Sequence, residues 1–293
     1  MRDSSRNDCT SWHKSRPGGE VLLHLLIAGL FRERYVPPGD VVDVGANDGE
    51  MTCFYASLDS ARTVHALEPS QTGYNRLVAR YQHVKNIAIM RAGLGRAEGF
   101  STGSGNMSSG MGDISLGFHR QRHETAFPIH RLDTLFGSQG ALAGRRLGFW
   151  HLDVEGYEMH ALRGATDTWA RDQPMLAVEV HVHSNRSFTI ELVTTLLGMG
   201  YKLSMVDEVC GRLDCRNLLA APAHLAETWM KASMSYQLAL VSGAVFPIRA
   251  ADELFQLTPS TVDGLNSSCT LRHHGSAVSN SISKRWVEGR LGR

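Results

Sequence analysis

The sequence predicts a doubly wound α/β domain, and three features predict it. From residue 40 onward, short β-branched runs that are apolar almost throughout alternate with helical stretches. Such runs suit strands buried on both faces of a parallel sheet. Right-handed crossovers then require helices on both sides of that sheet. The third feature is a glycine-bearing turn after the first strand, at the sheet end where folds of this class bind ligands.

In chain order, Val21 to Phe31 is an apolar run that places Leu22, Leu25, Leu26, Gly29 and Leu30 along one helical face. It reads as an amphipathic helix packed on a core. It follows mostly polar residues, contains His24 and ends in Arg32-Glu33-Arg34. A secretory signal would start closer to the N-terminus and end in a small-residue cleavage site, and a membrane span needs ~20 apolar residues, so neither is expected. Asp40 to Val44 is the first strand and Glu50 to Leu58 the helix after it. Arg62 to Leu67, a helix from Gln71 to Tyr81, and Lys85 to Met90 follow. Leu147 to Leu152 is the fourth strand, with a helix from Tyr157 to Ala170. Met175 to Val180 is the fifth, with a helix from Phe188 to Met199. Tyr201 to Val206 and Asn217 to Ala221 close the pattern.

Between Gly95 and Phe136 the alternation lapses into a Gly, Ser and Met-rich stretch, long enough to be functional or disordered. After Pro222 it stops, and the remainder reads as an appendage with some helix and a loose tail. The expected division is a polar segment and helix over 1–38, the α/β domain over 39–222 and the appendage over 223–293.

At 293 residues, 42% hydrophobic and 20% charged, the chain can build a large globular core. A net charge of +1 provides no domain-wide field for nucleic acid or anionic lipid, so neither is expected as a partner. Five cysteines are scattered and show no zinc spacing, which makes a reduced, cytoplasmic protein the expectation. Cys210 and Cys215 flank an expected turn and are open to either pairing or free thiols.

The first strand ends in Asp43-Val44-Gly45-Ala46-Asn47-Asp48-Gly49. Gly45 allows a sharp turn and close approach of a ligand to the backbone. Gly49 lets the next helix start close to the strand. The spacing G-x-x-x-G is not the G-x-G-x-x-G that holds a pyrophosphate on a helix N-terminus. Glu68 ends the second strand, about 20 residues past the glycines, where an acid accepts both ribose hydroxyl hydrogens. A nucleoside that is cationic rather than phosphorylated fits this pair, and S-adenosylmethionine is such a ligand.

Taken together, VVDVGANDG, HALEPS, MRAGLGRAEG, HRLDTL, HLDVEGYEMHALRGA and AVEVH resemble, in the same order, the FkbM-type methyltransferases. The likeness runs from about Gly39 to Pro222, where DCRNLLAAP resembles the family's final strand. It implies a Rossmann-like class I fold with a mainly parallel, seven-stranded sheet whose last strand, Asn217 to Ala221, is antiparallel. It also implies S-adenosylmethionine as donor and O-methylation of a hydroxyl. On the matching positions it puts cofactor contacts on Asp43, Gly45, Asn47, Gly49, Glu68 and Pro69, with Ala92 bordering the adenine. Relatives often carry Asn or Asp just before that alanine; here Arg91 stands there.

Methyl transfer from a sulfonium is an in-line displacement by an acceptor that must be positioned and deprotonated. Asp153 and Glu179 are the acidic groups at the ends of the fourth and fifth strands, and His181 is the candidate general base. The two carboxylates and the imidazole could instead hold a divalent ion that acidifies the acceptor. One carboxylate pair is not a full coordination set, so the metal-free reading is preferred. Glu155 and Glu158 read as favourable charges at a helix N-terminus. His183 reads as a surface residue, and Asp133 as fixing loop geometry. His119 to His123, with His130 and Arg131, read as a solvated basic loop face.

The expected activity is therefore an S-adenosylmethionine-dependent O-methyltransferase acting on a small molecule or glycan. A nucleotide-dependent oxidoreductase and an inactive methyltransferase-like binding protein are the alternatives. The first lacks its pyrophosphate glycines, and the second is at odds with the intact Asp43, Glu68 and Asp153 set.

Overall fold

The computed structural model describes Cys9 and residues 20–102, 106–107, 126–210 and 213–258. In chain order its elements begin with α1 (Val21–Arg32), β1 (Asp40–Val44), α2 (Glu50–Leu58), β2 (Val64–Leu67), α3 (Gln71–Tyr81) and β3 (Ile87–Met90). There follow β4 (Gly93–Leu94), β5 (Gly99–Thr102), β6 (Asn106–Met107), β7 (Phe127–His130), α4 (Leu132–Phe136) and β8 (Leu147–Leu152). Next come α5 (Glu158–Arg163), α6 (Thr166–Asp172), β9 (Met175–His181), α7 (Arg186–Gly198) and β10 (Tyr201–Val206). The chain continues through β11 (Cys215–Pro222), α8 (Ala223–Ala232), α9 (Met234–Val241), β12 (Val245–Ile248) and α10 (Ala251–Leu257). The described residues fall into two compact units, one of Cys9 with residues 36–178 and one of residues 20–35 with 179–258.

In the first unit the strands run parallel in the order β9-β8-β1-β2-β3. Every residue of β1, β2 and β8 is buried. That is the outcome expected of largely apolar strands covered on both faces. Phe54 and Tyr55 of α2 and Leu77 of α3 lie in the core, Leu77 against Ala46 and Ala66.

At the opening end of β1, Asp40 Oδ2 accepts from His65 Nε2 at 2.9 Å and from Arg145 Nη1 at 2.7 Å. Its Oδ1 accepts from the Thr63 amide at 3.1 Å. Burial alone would raise the Asp40 pKa, but these donors outweigh it and hold the carboxyl at about 2.

Two local features of this unit, a second small sheet and a divided helix, differ from the sequence reading. The stretch from Gly93 onward forms a second small sheet, in which β5 pairs antiparallel with β6 and β7, and β4 pairs parallel with β7. The basic run His119 to His123 lies outside the described residues; His130 is paired with Glu98 at 2.8 Å. The helix expected from Tyr157 to Ala170 is two helices, α5 and α6, parted at Gly164-Ala165. Gly164 is pressed against the Gly95 carbonyl, where any Cβ would collide. Asp133 starts α6, its Oδ1 accepting the Thr168 amide at 2.8 Å and its Oδ2 the Thr166 hydroxyl at 3.2 Å. Asp133 thus fixes loop geometry, as its motif suggested.

In the second unit β10 pairs antiparallel with β11 from Tyr201↔Pro222 to Val206↔Asn217, and antiparallel with β12 on its other side. The antiparallel final strand is therefore present. The added strand β12 carries Pro247, which a strand tolerates at an edge. Ser204 on β10 hydrogen-bonds the Tyr236 hydroxyl at 2.8 Å, and Trp229 meets Tyr236 edge-on at 4.4 Å. Helix α1 buries Leu23, Leu26, Ile27 and Leu30. Its free N-terminal amides at Leu22 and Leu23 are taken by the Glu208 carboxylate at 2.9 and 3.1 Å. No helix among the described residues is long and apolar enough to cross a membrane.

The cysteines correct the expectation of reduced thiols, because disulfides join Cys9 to Cys53 and Cys210 to Cys215. A sequence separation of 44 hides the first pair. Replacing Cys53 with Ser should lower stability by about 2–4 kcal/mol in urea melts. Peptide mapping of unreduced protein should recover both linked pairs. Recovery of these cysteines as free thiols would contradict the structure.

Candidate active site

The turn after β1 is held by charge buried beneath it. Asp43 is fully buried, and its Oδ1 accepts from His151 Nδ1 on β8 at 2.8 Å. Its Oδ2 accepts from the Thr52 hydroxyl on α2. One carboxylate therefore joins a strand to its neighbour and to the helix that follows it. The Asp153 amide donates to the Val44 carbonyl at 3.1 Å, bringing the ends of β1 and β8 together.

Gly45, at φ +82°, is placed so that a Cβ would strike the Asp153 carbonyl oxygen. The sequence reading gave that space to a ligand; what occupies it is the backbone of Asp153, just past β8. Gly49, at φ +86°, caps α2, and a Cβ there would meet Leu77 Cδ2 at 2.6 Å and the Tyr81 ring. The neighbour of Gly49 is thus α3. Asn47 is exposed and left-handed at φ +46°.

Glu68 closes β2 and is 5% exposed. Its Oε2 accepts from the Asn47 amide at 2.7 Å and its Oε1 from the Ser70 amide at 2.8 Å. Ser70 in turn accepts from the Gly73 amide at 3.2 Å and caps α3. Gly73 is needed there, since a Cβ would lie 2.7 Å from Glu68 Cγ. Pro69 and Ala92 are buried beside this end of the sheet, and Arg91 is half-buried.

At the end of β8, Asp153 is half-buried, and no described residue hydrogen-bonds its carboxylate. Glu155 is exposed at φ +54° and Gly156 follows at φ +96°. Glu158 opens α5, at the helix N-terminus where the sequence placed it, and is only 1% exposed. Its Oε1 accepts the amides of Val154 at 3.2 Å and Gly156 at 3.1 Å. Its buried Oε2 has no hydrogen-bond partner among the described residues. Burial, reinforced by the negative charge of Asp153, pushes Glu158 up to about 7 against the pull of the amides. Tyr157 is stacked on His160 at 4.3 Å, and burial drives its hydroxyl up to about 12.

In the second unit, Glu179 and His181 end β9, both half-buried. His181 Nε2 lies 3.8 Å from Glu179 Oε2. Cys215 Sγ lies 2.7 Å from Glu179 Oε1 and, being bonded to Cys210, has no proton to donate there. The donor atoms of Glu179, Cys210 and Cys215 fall within 4.8 Å of one another, but the two sulfurs are joined in the disulfide. His183 is half-buried rather than fully exposed: its Nε2 hydrogen-bonds the Thr258 carbonyl at 2.6 Å and its ring meets Phe255 at 5.7 Å.

Parallel strands in this order, with a glycine turn after β1 and a buried acid after β2, define a Rossmann-like class I methyltransferase fold. The methyltransferase FkbM domain matches residues 43–203, more than half of the chain, and the chain belongs to that family. No curated protein matches it. Among solved structures it is similar to methyltransferase FkbM from Methylobacillus flagellatus KT, at 16% identity and a TM-score of 0.45. That match covers 73% of this chain and 58% of the other, so the chain spans little over half of that protein's length. It is similar also to Aeropyrum pernix fibrillarin with natively bound S-adenosyl-L-methionine, at 12% identity, covering 68% and 73% of the two chains with a TM-score of 0.41. An rRNA methylase from Streptococcus thermophilus gives 12% identity, 66% and 92% coverage and a TM-score of 0.38.

Glu158 makes stability depend on pH with a definite sign. Its folded pKa of about 7 lies above the ordinary 4.5, so the folded state holds the proton more tightly. The contribution is complete below 4.5 and is lost as pH rises through about 7. Urea melts between pH 5 and 8 should show this fall, and Glu158→Gln should flatten it. Gly45→Val should destabilise the fold itself by collision with β8, seen as a lowered Tm without any ligand.

Proposed function

We propose that this methyltransferase uses S-adenosylmethionine to methylate a hydroxyl on a small molecule or glycan. The observation that carries the reading is Glu68, a buried acid at the end of β2 pinned by the Asn47 and Ser70 amides. A buried carboxylate at this strand end stands where an acid accepts ribose hydroxyl hydrogens in folds of this class. In this reading Asn47 and Pro69 border the nucleoside and Ala92 borders the adenine. Asp43, Gly45 and Gly49 act on the donor through the shape of the turn, since their neighbours are His151, Thr52, Asp153, Leu77 and Tyr81.

Asp153, whose carboxylate has no hydrogen-bond partner among the described residues, is available to orient the donor or acceptor. His181 removes the acceptor proton and Glu179 orients its imidazole, a role their 3.8 Å separation allows after a small rotation. S-adenosylmethionine supplies an already activated methyl group, so the protein's part is orientation and proton removal. The paired cysteines favour an oxidising compartment over the cytoplasm expected from their spacing.

Calorimetry with S-adenosylmethionine tests the donor. Glu68→Ala should lose about 1.5–3 kcal/mol of binding, with circular dichroism confirming the fold. Unchanged affinity in a folded variant would remove Glu68 from the site, and preference for NAD would favour an oxidoreductase. Labelled donor incubated with fractionated extract identifies the acceptor, and label found only in proteins would reject the small-molecule or glycan choice. With that acceptor, His181→Ala should slow turnover ~100-fold or more while donor affinity stays within error. Activity should survive a chelator; loss on chelation, restored by magnesium, would replace the imidazole base with a metal.

A further inference from the structure

Glu158 takes no part in the roles above, yet its surroundings are costly for a carboxyl group. A side chain 1% exposed, with one oxygen lacking any hydrogen-bond partner among the described residues, would be replaced more favourably by leucine if it only filled space. What leucine cannot do is accept hydrogen bonds. Glu158 Oε1 takes two at once, from the amides of Val154 and Gly156. Those amides flank Glu155, which stands at φ +54°, a conformation that L residues other than Gly, Asn and Asp seldom adopt. Glu158 therefore gathers the two amides on either side of a residue in a conformation that side chains rarely adopt.

The residue thus presented is Asp153. On its N-terminal side its amide is bonded to the Val44 carbonyl and its own carbonyl abuts Gly45. On its C-terminal side the chain is gathered by Glu158. We propose that Glu158 is a positioning residue that clamps the Asp153–Gly156 turn through a single oxygen and so sets the donor-binding end of β1 and β8. The inference rests on the methyl-donor reading above. A carboxyl raised to about 7 agrees with it, because a protonated carboxyl still offers an acceptor oxygen to the two amides.

The test compares Glu158→Gln, which keeps an acceptor oxygen, with Glu158→Leu, which removes it. Hydrogen–deuterium exchange at the Val154 and Gly156 amides reads the clamp, and calorimetry with S-adenosylmethionine reads its consequence. The leucine variant should exchange at both amides at least roughly tenfold faster and bind the donor roughly tenfold more weakly. The glutamine variant should stay near wild type in both, and the amides of α3 should be unchanged in either. Unchanged exchange in a folded leucine variant, equal acceleration in α3, or a glutamine variant that behaves like leucine would each overturn the clamp. If the leucine variant does not fold, wild-type exchange decides: unprotected Val154 and Gly156 amides overturn it, and protected ones with a protected glutamine variant uphold it. Wild-type protein that does not bind S-adenosylmethionine would sink the donor reading, while the exchange data would still judge the clamp.

Discussion

The buried carboxylate of Asp43 is the interaction on which the first unit depends. It is spent on His151 from the neighbouring strand and Thr52 from the following helix, so its position fixes β1, β8 and α2 against one another. Removing one partner from a buried, hydrogen-bonded charge costs about 3–5 kcal/mol, comparable to a large part of a domain's net stability. The close contact of Gly45 with the Asp153 carbonyl follows from this arrangement. Two strand ends so joined leave room for no side chain at that position.

Two further acids repeat the same chemistry at other strand ends. Glu68 joins the β1 turn to the start of α3, and Glu158 gathers the turn after β8. In each case a short side chain supplies acceptors to backbone amides that have left one element and not yet entered the next. The loops at this end are consequently set by side-chain carboxylates. Rigid turns of that kind suit a reaction in which placing two reactants is most of the work.

How much of this was legible depended on length scale. The strands β1, β2, β8 and β9 and the helices α2 and α3 show in the sequence because apolar β-branched runs and helical periodicity are local signals. The sheet of β4 to β7 does not, since Gly93–Leu94 is two residues long and its partner β7 lies more than thirty residues on. Strand β12 is masked by Pro247, and the break between α5 and α6 comes from Gly95 and Asp133, both remote in sequence. At the site, the motifs mark Asp43, Gly45, Glu68 and Asp153 as important. They do not show that the partners of Asp43 and Gly45 are other parts of the protein. Glu158 is illegible for the same reason: a glutamate three residues after an exposed one looks like solvent until its burial is known.

The cluster at the opposite end of β1 carries a consequence for where such a protein can work. Asp40, gripped by His65 and Arg145, keeps its charge until the pH approaches about 2. The anchor therefore persists above the ordinary carboxylate value of 3.8 and gives way only as acidity passes well beyond it. Mild acidity therefore leaves the Asp40 carboxylate, and the acceptors it offers to Thr63 and Arg145, in place at the foot of this sheet.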